Sequence, residues 1–184
     1  MSLVLLCLFD RMEKIAMKKF ELTADRIEEK GVTLHRIKAL IDFGDVKAGE
    51  LGGYVEKEEN LSQYGNAWVY RHAKVFGNAY IYGNAWVYDD AHIYGNAEVY
   101  DDAEVYSNAR VCSNADYIYL KGFGSHNRST TIFRAKSGNI CVSCGCFIGS
   151  LQEFENKVKE THGNNKFAKE YLALVEAAKI HFEV

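Results

Sequence analysis

Three groups of residues in this chain carry side chains able to do chemistry. The first is Cys141-x-x-Cys144-x-Cys146 with His162 downstream. Thiols and an imidazole can hold a tetrahedral zinc ion, and C-x-x-C is a common half of such a site; the same groups could instead make a nucleophilic cysteine with His162 as its partner. A single strand, however, sends Cys141 to one side and Cys144 and Cys146 to the other unless the Gly145 region bulges. Buried reduced cysteines pack as small hydrophobes, and packing is the preferred expectation here, with no metal.

The second group is the loop Gly122-Phe-Gly-Ser-His-Asn-Arg-Ser-Thr-Thr131. Gly122 and Gly124 allow close backbone approach, and Ser125, His126, Asn127, Arg128 and Thr130 supply hydroxyls, an amide, an imidazole and a guanidinium. Such a loop can take a phosphate or carboxylate through backbone N–H groups and a guanidinium fork. It is not a phosphate-binding P-loop, because no Gly-Lys-Ser/Thr occurs. The third group is His72 and His92, candidates for a general base, which would need an acceptor hydroxyl within reach and a carboxylate to orient the ring.

These residues must be positioned by elements, and the chain announces one of them plainly. Alanine stands at 67, 73, 79, 85, 91, 97, 103, 109 and 115, and an aliphatic residue follows two places later until Tyr117 takes its place. A period of six cannot keep both positions on one face of an α-helix, whereas short strands alternate sides with period two. Alanine and the aliphatic residue therefore point inward, and Gly-Asn, Asp-Asp, Ser-Asn or Arg-His turns a corner after each strand. Three sides close a coil of eighteen residues, so Val69 stacks on Val87 and Val105, Val75 on Ile93 and Val111, and Ile81 on Val99. Looser hexads extend the coil back to about residue 36, with Val55 and Leu61 in the alanine phase.

On this geometry His72 occupies a corner and His92 an outward strand position, out of phase with one another. The outward aromatics form ladders of their own: Tyr70, Tyr88 and Tyr106; Phe76 and Tyr94; Tyr82 and Tyr100; and Trp68 over Trp86. Large exposed aromatic surface marks an interaction face. Trp68, Tyr70, Trp86 and Tyr88 are the expected interface of a homo-oligomer.

The pattern resembles the hexapeptide-repeat family, whose aliphatic-x-x-x-small-x signature implies a left-handed parallel β-helix. The resemblance also implies trimers, and for many members acyl transfer from acyl-coenzyme A bound between neighbouring prisms. Those enzymes commonly extrude a loop from one coil to shape the site; here nine hexads run without interruption.

At Asp116 the period breaks. Alternation at Tyr117, Tyr119 and at Ile132, Phe133 predicts strands, with Ser137-Gly138-Asn139 as a hairpin turn. Ser150-x-x-Glu153 is a capping box opening a helix with Leu151, Phe154 and Val158 on one stripe. Gly163 ends it, and a longer helix from about Asn165 places Phe167, Tyr171, Leu174, Val175 and Ala178 on one face. The expected organisation is mainly β: an N-terminal cap at 17–35, a β-helix at 36–116, and a small α+β module of order β-β-β-α-α at 117–184 that caps the open coil.

Composition bounds the rest. The 184 residues are 48% hydrophobic, enough for a core without disulfide help. The net charge is -3, and within 65–116 Arg71, Lys74 and Arg110 face Asp89, Asp90, Glu98, Asp101, Asp102, Glu104 and Asp116, so neither a nucleic acid nor an anionic membrane is an expected partner. Five cysteines, three of them bunched, do not make a secreted disulfide framework and point to a reducing cytoplasm. The apolar run LVLLCLF is too short to span a bilayer and lacks the flanks of a signal peptide. Because MKKFELT from Met17 reads as an ordinary bacterial start, residues 1–16 are expected to be a mis-called leader.

The tail words VSCGCF, EFENKVKETHG and AKEY, together with DFGDVKAGELGGYVEKEENLS upstream, resemble uncharacterised proteins of phages and prophages in Gram-positive bacteria. That resemblance implies a phage context and brings no catalytic residues. The function expected is a non-enzymatic, homo-oligomeric scaffold or binding protein, without cofactor, that sequesters a small anionic ligand such as a nucleotide signal, or a host protein. The rival is a coenzyme A-dependent acyltransferase.

Overall fold

Residues 18–184 are described by a computed structural model; the expected leader, residues 1–16, lies outside the described residues. The described residues open with a hairpin of β1 (Phe20–Glu29) and β2 (Val32–Ala39). Its turn, Lys30-Gly31, has positive φ at both residues, the conformation that matches the twist of two antiparallel strands. β3 (Leu51–Val55) pairs antiparallel with β2 on one edge and parallel with the first turns of the repeat on the other.

The hexads then fold as two-residue strands: β4 (Trp68–Val69), β5 (Lys74–Val75), β6 (Tyr80–Ile81), β7 (Trp86–Val87), β8 (His92–Ile93), β9 (Glu98–Val99), β10 (Glu104–Val105) and β11 (Arg110–Val111). Parallel pairing in steps of eighteen places Val69 on Val87 and Val87 on Val105, Val75 on Ile93 and Ile93 on Val111, and Ile81 on Val99. These are the inward ladders that the period demands. Ala67 through Ala109 and every aliphatic partner are at most 1% exposed. The result is a β-solenoid of about three turns.

Corners use the left-handed backbone region: Gly77, Gly83 and Gly95 have positive φ, as do Arg71, Asp89, Asp101 and Ser107 at equivalent corners. The asparagine beside each glycine has a second role. Asn66 donates to Asn84 at 3.1 Å, Asn84 to Asp102 at 2.9 Å, and Asn78 to Asn96 at 3.1 Å, so the corners carry side-chain ladders parallel to the backbone ones.

The expected phase before residue 67 needs correction. Val55 pairs with Val75, and Leu61 bridges to Ile81; both residues occupy the aliphatic phase, not the alanine phase. Eight residues instead of six separate Leu61 from Val69, so two extra residues around Ser62-Gln63-Tyr64 carry the offset. Residue 36 lies inside antiparallel β2, so parallel stacking starts at β3. The reason lies in Gln63, whose side-chain oxygen accepts from the Lys19 N–H at 2.8 Å. The widened corner ties the N-terminal hairpin to the coil.

Beyond a short 3-10 turn at Asn114–Asp116, four antiparallel strands follow in spatial order: β12 (Tyr117–Phe123), β13 (Arg128–Arg134), β14 (Ile140–Cys144) and β15 (Phe147–Ser150). The sequence pattern yields three strands. The fourth is short, contains Gly149 and ends on Ser150, which also caps the next helix. Helices α1 (Leu151–His162) and α2 (Lys166–Phe182) start on the Ser150–Glu153 capping box and on Asn165 respectively.

The sheet lies between the coil and the helices. Toward the helices, Ile132, Val142 and Cys144 join Phe154, Val158, Tyr171 and Val175 in one cluster. Toward the solenoid, Phe133 meets the Tyr106 ring edge-on at 4.9 Å, and the Tyr106 hydroxyl donates to the Val142 carbonyl at 2.8 Å. The backbone of the last coil is satisfied by the sheet: Glu104 N–H donates to Thr131 Oγ1, and Lys136 N–H to the Asn108 carbonyl. The C-terminal module thus closes the end of the coil, as solenoids require. No helix among the described residues is long and apolar enough to cross a membrane.

Candidate functional site

Two groups that sequence reasoning kept apart, the 122–131 loop and the cysteine cluster, meet at one cavity of about 420 Å³ between the sheet and the helices. Ser125, His126 and Arg128 reach it from the β12–β13 hairpin, and Cys144 and Cys146 from the β14–β15 turn. From α1 come Phe154, Lys157, Val158, Thr161 and His162, residues spaced three and four apart and therefore on one helix face. Tyr171 of α2 and Phe147 of β15 complete it.

The floor is aromatic and ordered. Phe154 contacts Phe147 at 5.2 Å and Tyr171 edge-on at 5.5 Å between ring centroids, and the His162 imidazole lies over Tyr171 at 6.0 Å and 28°. Beneath it runs a buried polar chain. Thr130 Oγ1 donates to Cys144 Sγ at 3.2 Å, the Cys144 thiol to the Tyr171 hydroxyl at 3.6 Å, and that hydroxyl to the Phe123 carbonyl at 3.3 Å. Burial, reinforced by Cys144, pushes the Tyr171 phenol far above its ordinary range, so it stays a neutral donor. The rim carries the Arg128 guanidinium and the Lys157 ammonium, and no carboxylate lines the cavity among the described residues.

Two glycines make this arrangement fit. A Cβ at Gly124 would collide with the Tyr171 hydroxyl, and one at Gly145 with the Arg128 guanidinium; both glycines also have positive φ. Gly124 was expected to approach a ligand. Instead it is buried, and its N–H donates to Glu170 of the same chain at 3.2 Å, because the hairpin must pack against α2.

Other expected loop residues also take different places. Thr130 is fully buried beneath the floor, Gly122 sits at a bulge in β12 facing open space, and Asn127 is an exposed turn residue with positive φ. Ser125, His126 and Arg128 remain. Lys157, Thr161, Phe147, Phe154 and Tyr171 were not read as site residues, although the helical spacing of 154, 157, 158 and 161 could have placed Lys157 beside the apolar stripe.

Among the described residues, no three of His, Cys, Asp and Glu converge as metal ligands. The alternation of β14 is the cause. Cys141 packs toward the solenoid cluster, and burial raises its thiol; Cys144 faces the helices, and Cys146 is exposed in the turn. Cys141 is therefore parted from Cys144, Cys146 and His162, which line the cavity.

The solenoid histidines are separated as their phases require. His72 is exposed in the turn between β4 and β5. His92, expected at the solvated surface, is only 8% exposed, because β1 reaches over it: Glu29 lies 3.9 Å from its Nδ1 and bonds Lys74 at 2.6 Å. Burial, with Arg110 and Lys74 on adjacent rungs, lowers its pKa to about 4. The ring is neutral at pH 7 and packs on Phe76.

The expected interface also changes. Trp68 is fully buried, edge-on to Phe20 at 6.2 Å and Phe43 at 5.3 Å, so it is core beneath the N-terminal hairpin and unavailable to a partner. Tyr70, Trp86 and Tyr88 remain half-buried on the outer face.

No family model matches the chain. A stretch of 42 residues, 23% of this chain, is 48% identical to part of a protein of Escherichia coli strain K12 described as "Uncharacterized acetyltransferase YdcK". The chain spans 13% of the length of that relative.

Proposed function

We propose that this chain is a binding protein, not an enzyme, in which the solenoid carries a C-terminal module that takes a small anionic ligand. The observation that supports this most is the cavity beside Arg128 and Lys157: cationic at the rim, aromatic at the floor and without a lining carboxylate. A guanidinium and an ammonium suit a phosphate or carboxylate, and rings in edge and stacked contact suit a flat apolar group. A nucleotide has both parts. The nucleotide-signal form of the ligand and the phage setting, implied by the resemblance of the tail, belong to this proposal.

Thermal unfolding with ADP-ribose, cyclic AMP, ADP and acetyl-coenzyme A tests the proposal. A ligand at a hundred times its Kd stabilises the folded state by about 2.7 kcal/mol, a rise in Tm of roughly 5 to 10 °C for a chain of this size. The rise should vanish in Arg128→Ala/Lys157→Ala. No shift with any of the four, or an equal shift in the double variant, contradicts it.

A second reading, acyl transfer, is supported by the stretch shared with the E. coli relative. On the solenoid it would use His72, because the packing around His92 leaves that ring little access. Release of free coenzyme A from acetyl-coenzyme A, abolished by His72→Ala, would favour this reading over the first.

A further inference from the structure

A second cavity, of about 550 Å³, lies on the outer face of β4, β7 and β10, away from the residues just assigned. Its walls are Tyr70, Trp86 and Tyr88. Trp86 stands at 76° to Tyr70 with centroids 6.0 Å apart, so two rings meet as a corner, and Tyr88 is held by stacking on Tyr106 at 5.6 Å. Around the rim are Asp45, from an exposed loop, and Asp89 and Glu104 from the coil. Glu104 is fixed there as acceptor of the Ser143 hydroxyl at 2.8 Å. Arg71 supplies the one positive charge of the lining, and it is engaged with Asp89 at 3.5 Å.

Elsewhere this chain covers ring faces with its own cations: Lys30 lies over Tyr94, Arg36 over Tyr54 and Arg134 over Phe182. Among the described residues no such cation lies over Tyr70, Trp86 or Tyr88. The local field is negative as well. Burial, followed by Glu50 and Asp45, pushes the Tyr70 phenol up to about 12, and burial, followed by Glu104 and Asp89, does the same for Tyr88. Burial opposes a charge of either sign, so the share that favours a cation is the one from these carboxylates.

We propose that this cavity binds an alkylated ammonium group, its methyl groups against the Tyr70, Trp86 and Tyr88 rings and its charge balanced by Asp45 and Glu104. Ring faces attract cations through their quadrupole. A bare ammonium would have to shed a strongly held water shell, whereas an alkylated one is weakly hydrated and matches apolar walls. The group can come from a free molecule such as choline or from a trimethylated lysine side chain.

The test is a titration of the full chain with choline, with a trimethyl-lysine peptide, and with 3,3-dimethylbutanol, the neutral isostere of choline, followed by Trp86 fluorescence. Trp68, being buried, provides constant emission. The expected result is a saturable change with choline or the peptide, the tighter of the two naming the source. The neutral isostere should bind at least about tenfold more weakly, a difference of about 1.4 kcal/mol. Asp45→Asn, in an exposed loop where folding is not at stake, should weaken the cation several-fold and leave the isostere unchanged. No saturable response up to about 50 mM, or equal affinity for cation and isostere, overturns the proposal. So does light scattering that shows a dimer lost in Trp86→Lys, because a second copy then covers the rings.

Discussion

The Arg128 guanidinium occupies the space that a side chain at residue 145 would need. The β14–β15 turn thus leaves its tip bare to admit a cation from the neighbouring β12–β13 hairpin. Gly145→Ala should cost roughly 1 to 3 kcal/mol, from positive φ and collision together, and should lower anion affinity about tenfold by displacing Arg128. Urea unfolding and calorimetry measure the two effects separately. Full affinity in the variant would show that Arg128 is not placed by this contact.

The Tyr171 hydroxyl ends the chain from Thr130 through Cys144 to the Phe123 carbonyl. Tyr171→Phe removes the acceptor of the Cys144 thiol and the donor to that carbonyl, and should cost about 1 to 2 kcal/mol in denaturant unfolding. An unchanged midpoint would mean that this chain contributes nothing net to stability.

His92 sets a pH dependence. Its folded pKa, about 4, lies below the unfolded value near 6.5, so the unfolded chain binds the extra proton between those values. Stability is therefore full above about pH 6.5 and falls as the pH drops toward 4, by about 1.4 kcal/mol for each pH unit at most. Urea midpoints of wild type and His92→Gln at pH 7.5, 6.0 and 5.0 check this. The wild type should decline, and the variant should decline less, since the depressed carboxylates of Glu29, Asp102 and Asp116 act only at lower pH. Parallel declines would contradict it.

At the middle of its ladder, Ile93 lies between Val75 and Val111. Ile93→Ala should cost about 2 to 5 kcal/mol and Ile93→Val about 0.5 to 1.5 kcal/mol, read from denaturant unfolding.

How far these features were legible in the sequence follows from how local their causes are. The coil was legible from Ala67 to Ala115 because each hexad repeats the same steric demand, small near the corner and branched on the flat. The slip at Leu61 was not, because it rests on Gln63 meeting Lys19 across 44 residues. Trp68 and Trp86 occupy equivalent positions in neighbouring coils, yet the hairpin buries one and leaves the other half-exposed; only the fold of β1 and β2 decides that. His92 is buried by Glu29 of the same hairpin. At the site, Arg128 and Ser125 were legible from residue type, whereas Lys157 and Tyr171 required the docking of α1 and α2 onto the sheet. The capping box at Ser150 and the ends at Gly163 and Asn165 needed only neighbouring residues, and the helices begin and end there.

The central claim, that the cavity beside Arg128 and Lys157 holds an anion, is tested most directly by amide NMR of the full chain titrated with ADP-ribose and, separately, inorganic phosphate. Binding there gives saturable shifts confined to Ser125–Arg128, Cys144–Phe147, Lys157 and His162, absent in Arg128→Ala/Lys157→Ala. Shifts clustered on the solenoid around His72, or no saturable shift with either anion, would contradict it.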